Sequence, residues 1–424
     1  MSDTRDHGRL AGRPRWWVAG LSLFLLVASG LVAWGLTDDD PYVAPIPAPT
    51  AQSPSPGLAA QVLARFRRAV ATGDADAARA LAPADDPAAG DRLAAVVDNA
   101  EALRVTAFTL RFVDAEGVLG DDGDWTAAVD ATWRFAGFDR APARAEVVVR
   151  LRQEGDRVAL TGFGGGDRVS PLWLSGPLQV RRTPRTLVLV DGSAAEAAAY
   201  ARRARAAVPV VRRVLPDWRR GLVVEVPGSV EDLDRVLDAE PGTYDQIAAV
   251  TTSADGSLAP DAPVHVFVNP DVYGALRPTG AQVVMSHEAT HVAAGAWTSD
   301  MPLWLLEGFA DYVALRDVDL PVSRSAAQII AQVRRDGPPR ALPGAAEFGT
   351  RATHLGATYE SAWLACRVLA QDGGQAALVA FYRAVDAGRP VGAALEDAFG
   401  LTLGELTAQW RRELATLALP QSVG

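Results

Sequence analysis

The sequence predicts an α+β protein in which an N-terminal transmembrane helix precedes two folded domains. Residues 16–36 carry no charged side chain, and a run of this length is close to the roughly 20 residues that cross a bilayer as a helix. Residues 58–168 show helical patterns and then long alternating strands, which is the order of an α+β domain. Residues 185–418 begin with shorter strands and end in a series of helices.

The charges on either side of the apolar segment predict its orientation. Four arginines precede it and three aspartates follow it: Arg5, Arg9, Arg13, Arg15, Asp38, Asp39 and Asp40. This bias predicts a single-pass protein of the cell membrane, with a cytoplasmic tail at 1–15 and the folded domains outside the cytoplasm. A cleaved signal peptide is the alternative, although the run is long for one and no A-x-A site follows it. Residues 37–57, rich in Pro, Ser and Ala, predict an extended linker.

The first domain is predicted to contain three helices and an antiparallel sheet. The helices are expected at 59–70, 74–81 and 91–103, and the strands at 105–113, 125–138, 143–153 and 157–163. This order resembles the NTF2-like cone fold. The sequence over 58–168 contains no catalytic constellation, which favours an accessory or dimerising module. Asp121 to Asp124 fit a hairpin turn and lack the spacing of a calcium loop.

Composition excludes some classes of function. The chain is 49% hydrophobic, as expected for a folded protein, and its net charge of −10 argues against a nucleic-acid partner. The single cysteine, Cys366, cannot form an intrachain disulfide, and its apolar surroundings in the sequence predict a small buried residue.

The most informative stretch of the second domain is His287-Glu288-Ala-Thr-His291. On a helix, side chains four residues apart project from one face, so both imidazoles can bind one metal ion. Glu288 lies between them, beside that metal. A zinc ion with three protein ligands keeps one position open for an acidified water, whose proton Glu288 can accept.

A second helix is expected to supply the third ligand. Fifteen residues separate His291 from Glu307, which lies in the stretch Pro302-Leu-Trp-Leu-Leu-Glu307-Gly-Phe-Ala-Asp311-Tyr. Pro302 suits a first helical turn, and Glu307 and Asp311 again share a face. Histidine ligands usually donate their other N–H to an oxygen, and Asp311 is the candidate acceptor. H-E-x-x-H alone also occurs by chance on solvated surface helices, but the second helix argues against chance here.

These residues are similar to those of the gluzincin metallopeptidases, which include the aminopeptidase N and thermolysin types, and to bacterial peptidase MA-like domains. The resemblance implies a zinc domain over 185–418 with a mixed sheet and a helical half. It implies one zinc per chain on His287, His291 and Glu307, with Glu288 as general base and Asp311 supporting a ligand. The gap between His291 and Glu307 is shorter than in the aminopeptidase N pattern, and no G-x-M-E-N-like stretch is present. Aminopeptidase specificity therefore does not carry over.

Three further residues need an interpretation. Tyr359 and His354 are candidate donors to the oxyanion that forms at an attacked carbonyl; alternatively, Tyr359 packs beside a helix and His354 is a solvated loop residue. His265 alternates with valines and is predicted to be a strand-face residue.

Two functions are consistent with the sequence. The first is a membrane-anchored zinc endopeptidase that acts on peptides or proteins outside the cytoplasm, with the substrate extended along the strand at 264–268 or its neighbour. The alternative is a non-catalytic zinc-containing binding or sensing module of the cell envelope. The intact Glu288 favours the enzyme. The sequence indicates neither the substrate's identity nor an oligomeric state.

Overall fold

The first half of the folded chain consists of three helices and a four-stranded antiparallel meander. The computed structural model describes residues 54–349 and 352–419. Prolines in the first turn begin the first and third helices, and Asp74 and Asp86 cap helices with their side chains. The elements are α1 (Pro56–Thr72), α2 (Ala75–Arg79), α3 (Pro87–Leu103), β1 (Val105–Glu116), β2 (Asp124–Phe135), β3 (Ala143–Glu154) and β4 (Arg157–Phe163). The strands lie in the order β1-β2-β3-β4.

A mixed five-stranded sheet begins the second half. Its strands are β5 (Gln179–Arg182), β6 (Thr186–Val190), β7 (Leu222–Val226), β8 (Ala249–Ser253) and β9 (Val264–Val268), in the order β5-β6-β7-β9-β8. The strands β6, β7 and β9 are parallel, whereas β5 and β8 run antiparallel to their neighbours. β8 is therefore an edge strand, and Thr251 pairs with Val266 of β9. The edge strand is therefore the neighbour of the strand at 264–268, whereas the strand at 264–268 is β9 and lies inside the sheet.

Two helices lie between strands of this sheet in the chain, and the others follow its last strand. The helices are α4 (Ala194–Val214), α5 (Val230–Val236), α6 (Pro270–Gly274), α7 (Pro278–Ala294), α8 (Leu303–Leu315), α9 (Val322–Ser325), α10 (Ala327–Asp336), α11 (Leu355–Asp386), α12 (Val391–Phe399) and α13 (Leu403–Ala418). α11 is interrupted at Gly374, which has a φ of 84°. The element thus consists of two helical parts that meet at Gly374.

The mixed sheet is covered on both faces. Alternate side chains of one strand point to opposite faces, so Leu187 and Leu189 of β6 join the core of the first half. Val188 and Val190 join the core formed with α4, α7, α8 and α11. The sheet therefore connects the two halves through shared hydrophobic packing.

The predicted fold class is wrong as stated. It began with a transmembrane helix, and within residues 54–349 and 352–419 no helix has the length and apolarity needed to cross a membrane. The described fold is instead mixed α/β, with two sheets and surrounding helices. The predicted tail, span at 16–36 and most of the linker lie outside the described residues. The location inferred from them, the NTF2-like resemblance and the domain boundaries stay predictions.

Candidate metal centre

The two histidines of the motif lie on α7. Pro278 begins this helix, and Gly295, with a φ of 78°, ends it. His287 and His291 lie one turn apart and are buried, and their Nε2 atoms are 2.9 Å from each other. The i, i+4 spacing thus produces the convergence of imidazoles that the sequence predicts.

Glu307 comes from α8, which packs against both α7 and α11. Its Oε2 lies 3.1 Å from His287 Nε2 and 3.3 Å from His291 Nε2. Pro302 is the residue before the helix and not within its first turn, because its ψ of 131° is not helical. His287, His291 and Glu307 form the group of potential ligands found among the described residues, with one atom of each within 4.8 Å of the others.

Asp311 lies one turn after Glu307, and its Oδ1 is 2.8 Å from His287 Nδ1. A carboxylate at this distance can accept the Nδ1–H, and Nε2, the ring atom next to Glu307 and His291, is then the atom that can bind a metal. The structure therefore brings Asp311 to the position that the sequence predicts.

Negative charge exceeds positive charge around these imidazoles. Burial lowers the pKa of His287, but the charges of Asp311 and Glu288 and the hydrogen bonds that the ring donates to Asp311 and Glu307 raise it well above its ordinary value. Burial raises the pKa of Glu307, but the charge of His291 and hydrogen bonds from both imidazoles lower it far below its ordinary value. A site that favours added positive charge in this way suits a cation.

The donor atoms fit zinc. Two imidazole nitrogens and one carboxylate oxygen are a usual catalytic zinc set, and bonds of about 2.0–2.2 Å in tetrahedral geometry put neighbouring donors roughly 3.3–3.5 Å apart. The observed separations of 2.9, 3.1 and 3.3 Å are within a few tenths of an ångström of those values.

Glu288 lies beside the ligands and lines a cleft of about 990 Å³. It is 6% exposed, and its Oε2 accepts a hydrogen bond of 2.7 Å from the Thr251 hydroxyl on the edge strand β8. Ile247, Ala248 and Ala249 line the same cleft. The edge of the mixed sheet therefore forms one wall beside the candidate base.

Tyr359 and His354 both line the cleft, in different surroundings. The Tyr359 ring lies in the first turns of α11, 6.1 Å from the His287 ring between centroids. Burial and the negative charges of Glu307 and Glu288 raise the pKa of Tyr359, so its phenol keeps its proton at neutral pH. His354 is exposed and precedes the helix. The phenol is therefore the better placed proton donor.

His265 and Cys366 do not belong to the metal centre. His265 is fully buried between Glu225 and Asp139, and Cys366 is buried against α8 near Gly308. His265 is a strand-face residue, as expected, but its two carboxylate partners were not predicted.

Sequence reasoning missed two parts of this site. Thr251 has no motif around it, and only the pairing of β8 brings it to Glu288. The helix α10 forms another wall of the cleft, and its contributing side chains share i, i+3, i+4, i+7 spacing: Gln328, Ala331, Gln332 and Arg335. Helical periodicity could have found that stripe, but not what it faces.

Comparisons with known proteins give a limited result. No protein-family model matches the chain, and no curated protein matches it. Among solved structures, the M1 zinc metallopeptidase from Deinococcus radiodurans is 15% identical with a TM-score of 0.32, over 72% of this chain and 62% of that one. A mutant of that enzyme bound to a Tyr-Ser-Ala substrate is 17% identical with a TM-score of 0.32, over 70% and 62%. The chain thus spans less than two thirds of these structures.

Proposed function

We propose that this protein is a zinc-dependent peptidase. The observation that supports the proposal is the convergence of His287, His291 and Glu307, with His287 and the neighbouring Glu288 lining a large cleft. Two imidazoles and a carboxylate leave one zinc position open, as in catalytic sites and unlike closed structural sites. A zinc ion bound there would supply an acidified water and polarise a substrate carbonyl.

Three residues of the chain have the other roles in the reaction. Glu288 accepts the proton of the attacking water, because its carboxylate lies next to the ligands and faces the cleft. Tyr359 donates a hydrogen bond to the oxygen that becomes negative as the carbonyl is attacked. Asp311 holds the His287 ring in the orientation that binds the metal.

The cleft favours an endopeptidase. Its volume of about 990 Å³ exceeds what one residue occupies, and the edge strand β8 beside it can pair with an extended peptide. Apart from Glu288 and Asp311, the described residues that line the cleft include no carboxylate that could hold a free amino terminus. A substrate is therefore expected to be bound by its backbone and attacked at an internal bond.

The test is cleavage of a library of internally quenched peptides by the purified full chain, with zinc measured on the same samples. We expect the wild type to cleave internal bonds and Glu288→Gln to lose about 10²- to 10⁴-fold in rate while it keeps its zinc. Glu396→Gln is the matched control, because Glu396 is exposed on α12. A zinc-loaded wild type that cleaves nothing would instead indicate the non-catalytic binding module, and a fully active Glu288→Gln would exclude the assigned base.

A further inference from the structure

Thr251 contacts the candidate base from a different element than the one that carries it. Thr251 lies in the middle of the edge strand β8, and its Oγ1 is 2.7 Å from Glu288 Oε2 and 3.2 Å from the Glu288 carbonyl oxygen. The strand itself is fixed by pairing with β9, where Thr251 opposes the fully buried Val266. The hydroxyl therefore reaches Glu288 from a rigid support.

One hydroxyl has one proton to donate. The carboxylate is charged and is the nearer acceptor, so the bond to Glu288 Oε2 is the stronger of the two. A free glutamate side chain loses rotamer entropy when it is held in one orientation, and the β-branched threonine is itself stiff at χ1. The bond holds one carboxylate oxygen of Glu288 and leaves Oε1 to accept a proton.

The side chains of β8 differ in whether they can bond to Glu288. Because side chains alternate along a strand, Thr251 shares its face with Ala249 and Ser253, while Thr252 points the other way. Ala249 has no polar side-chain atom, and no hydrogen bond joins Ser253 to Glu288 within the described part of the chain. Among the described residues, the hydroxyl bond to Glu288 comes from Thr251.

We propose that Thr251 is a positioning residue, which orients the Glu288 carboxylate toward the water it deprotonates. This inference rests on the proposed peptidase function. It means that the strand β8 both lines the substrate cleft and orients the base. A peptide bound along β8 would therefore contact the same element that positions Glu288 for proton transfer.

The experiment compares substitutions at Thr251 in the full chain, with kcat, KM and zinc content measured for each. Thr251→Val keeps the β-branched shape without the hydroxyl, and we expect kcat to fall about 10- to 100-fold with KM and zinc content unchanged. Thr251→Ser keeps the hydroxyl and is expected to stay within about 3-fold of the wild type. Thr252→Val is the control on the opposite face and is expected to leave all three quantities unchanged.

The outcomes separate the two proposals. A wild type without peptidase activity contradicts the proposed function, whereas an active wild type with an equally active Thr251→Val contradicts only the role of Thr251. An equal loss of kcat in Thr251→Val and Thr251→Ser also overturns the role, because the hydroxyl would then not be the cause. Thr251→Ala removes the hydroxyl without adding bulk and carries the same expected loss of kcat, so the test does not depend on the folding of one variant.

Discussion

Three carboxylates surround the two imidazoles of the metal centre, and each has a different position. Glu307 lies between the imidazole Nε2 atoms, Asp311 lies on the far side of His287, and Glu288 faces the cleft. With neutral imidazoles these carboxylates leave an excess of negative charge, which a divalent cation offsets. The charge balance around the imidazoles therefore favours a bound cation.

Asp311→Asn is expected to weaken zinc binding about 10- to 100-fold, because His287 loses the charged acceptor that orients it and makes it a better ligand. Competition with a chelator of known affinity measures this change. Asp319→Asn is a matched control, since Asp319 is exposed on the loop after α8. An unchanged affinity in Asp311→Asn would show that His287 does not need this partner.

Tyr359→Phe is expected to lower kcat about 10²- to 10³-fold with little change in KM, since the phenol would donate only to the oxyanion. His354→Ala is expected to stay within a few-fold of the wild type, because His354 is exposed at the start of α11. Steady-state kinetics on a cleaved peptide measure both. A larger loss in His354→Ala than in Tyr359→Phe would reverse the assignment of the donor.

At the scale of elements, the position of Glu307 depends on how closely α8 approaches α11. Gly308, next to Glu307, faces the backbone carbonyl of Ala362 and the Cys366 sulfur, and a Cβ at this position would overlap that carbonyl. The glycine between Glu307 and Phe309 is therefore required by helix packing. Glycine lowers the stability of a helix by about 1 kcal/mol relative to alanine, and the close contact with α11 requires it here.

Gly308→Ala is expected to destabilise the fold by about 1–3 kcal/mol and to reduce zinc content, because α8 must move away from α11 and takes Glu307 with it. Urea unfolding followed by tryptophan fluorescence measures the free energy of unfolding. Gly280→Ala on α7 is the control, since a Cβ there has no neighbour nearer than 4.0 Å. Equal stability in the two variants would contradict the packing argument.

The sequence predicted this helix pair well because its information is local. Spacings of four residues on α7 and α8 specify which side chains share a face, and Gly295 ends α7. The strand β5, which Pro177 and Pro184 flank, was not predicted. Thr251 and the α10 wall could not be predicted, because their roles depend on contacts between elements distant in sequence.

At the scale of the whole molecule, a buried charged triad joins the two halves. His265 of β9 is fully buried, with Nδ1 2.6 Å from Glu225 Oε1 on β7 and Nε2 3.0 Å from Asp139 Oδ1, which follows β2. Its ring stacks on Phe135 at 5.4 Å between centroids. The triad lies where the mixed sheet meets the first half, so it can link their stabilities.

The charge of His265 predicts how stability depends on pH. Burial lowers the pKa of His265, but the charge and hydrogen bond of Asp139, with those of Glu225, raise it to about 10. An unfolded histidine has a pKa of about 6.5. The folded pKa is the higher one, so the stabilisation is fully present below about pH 6.5 and is lost as pH rises to about 10.

We therefore expect the free energy of unfolding to fall between about pH 6.5 and 10. The fall is expected to be a few kcal/mol larger in the wild type than in His265→Gln, since one pKa unit corresponds to about 1.4 kcal/mol. Urea unfolding at several pH values measures the two slopes. Other groups that titrate in this window, such as Glu360, whose pKa burial raises to about 7, are common to both proteins. Equal slopes would contradict a charged His265 in the folded state.

This interface also marks a limit of what the sequence could show. Alternation with valines placed His265 on a strand face, but its partners Asp139 and Glu225 lie 126 and 40 residues away in the chain. The helix and strand patterns were local enough to predict most elements of both halves. The shared packing of the two halves across the mixed sheet could not be predicted, because it depends on which face of β6 contacts which core.

The most direct test of the central claim is the zinc content of the purified full chain after dialysis, measured for the wild type, His291→Ala and His354→Ala. The geometry of the three ligands predicts one zinc per chain in the wild type and in His354→Ala, and none in His291→Ala. A wild type without tightly bound zinc, or an unchanged zinc content in His291→Ala, would contradict the assignment of this site and the peptidase proposed from it.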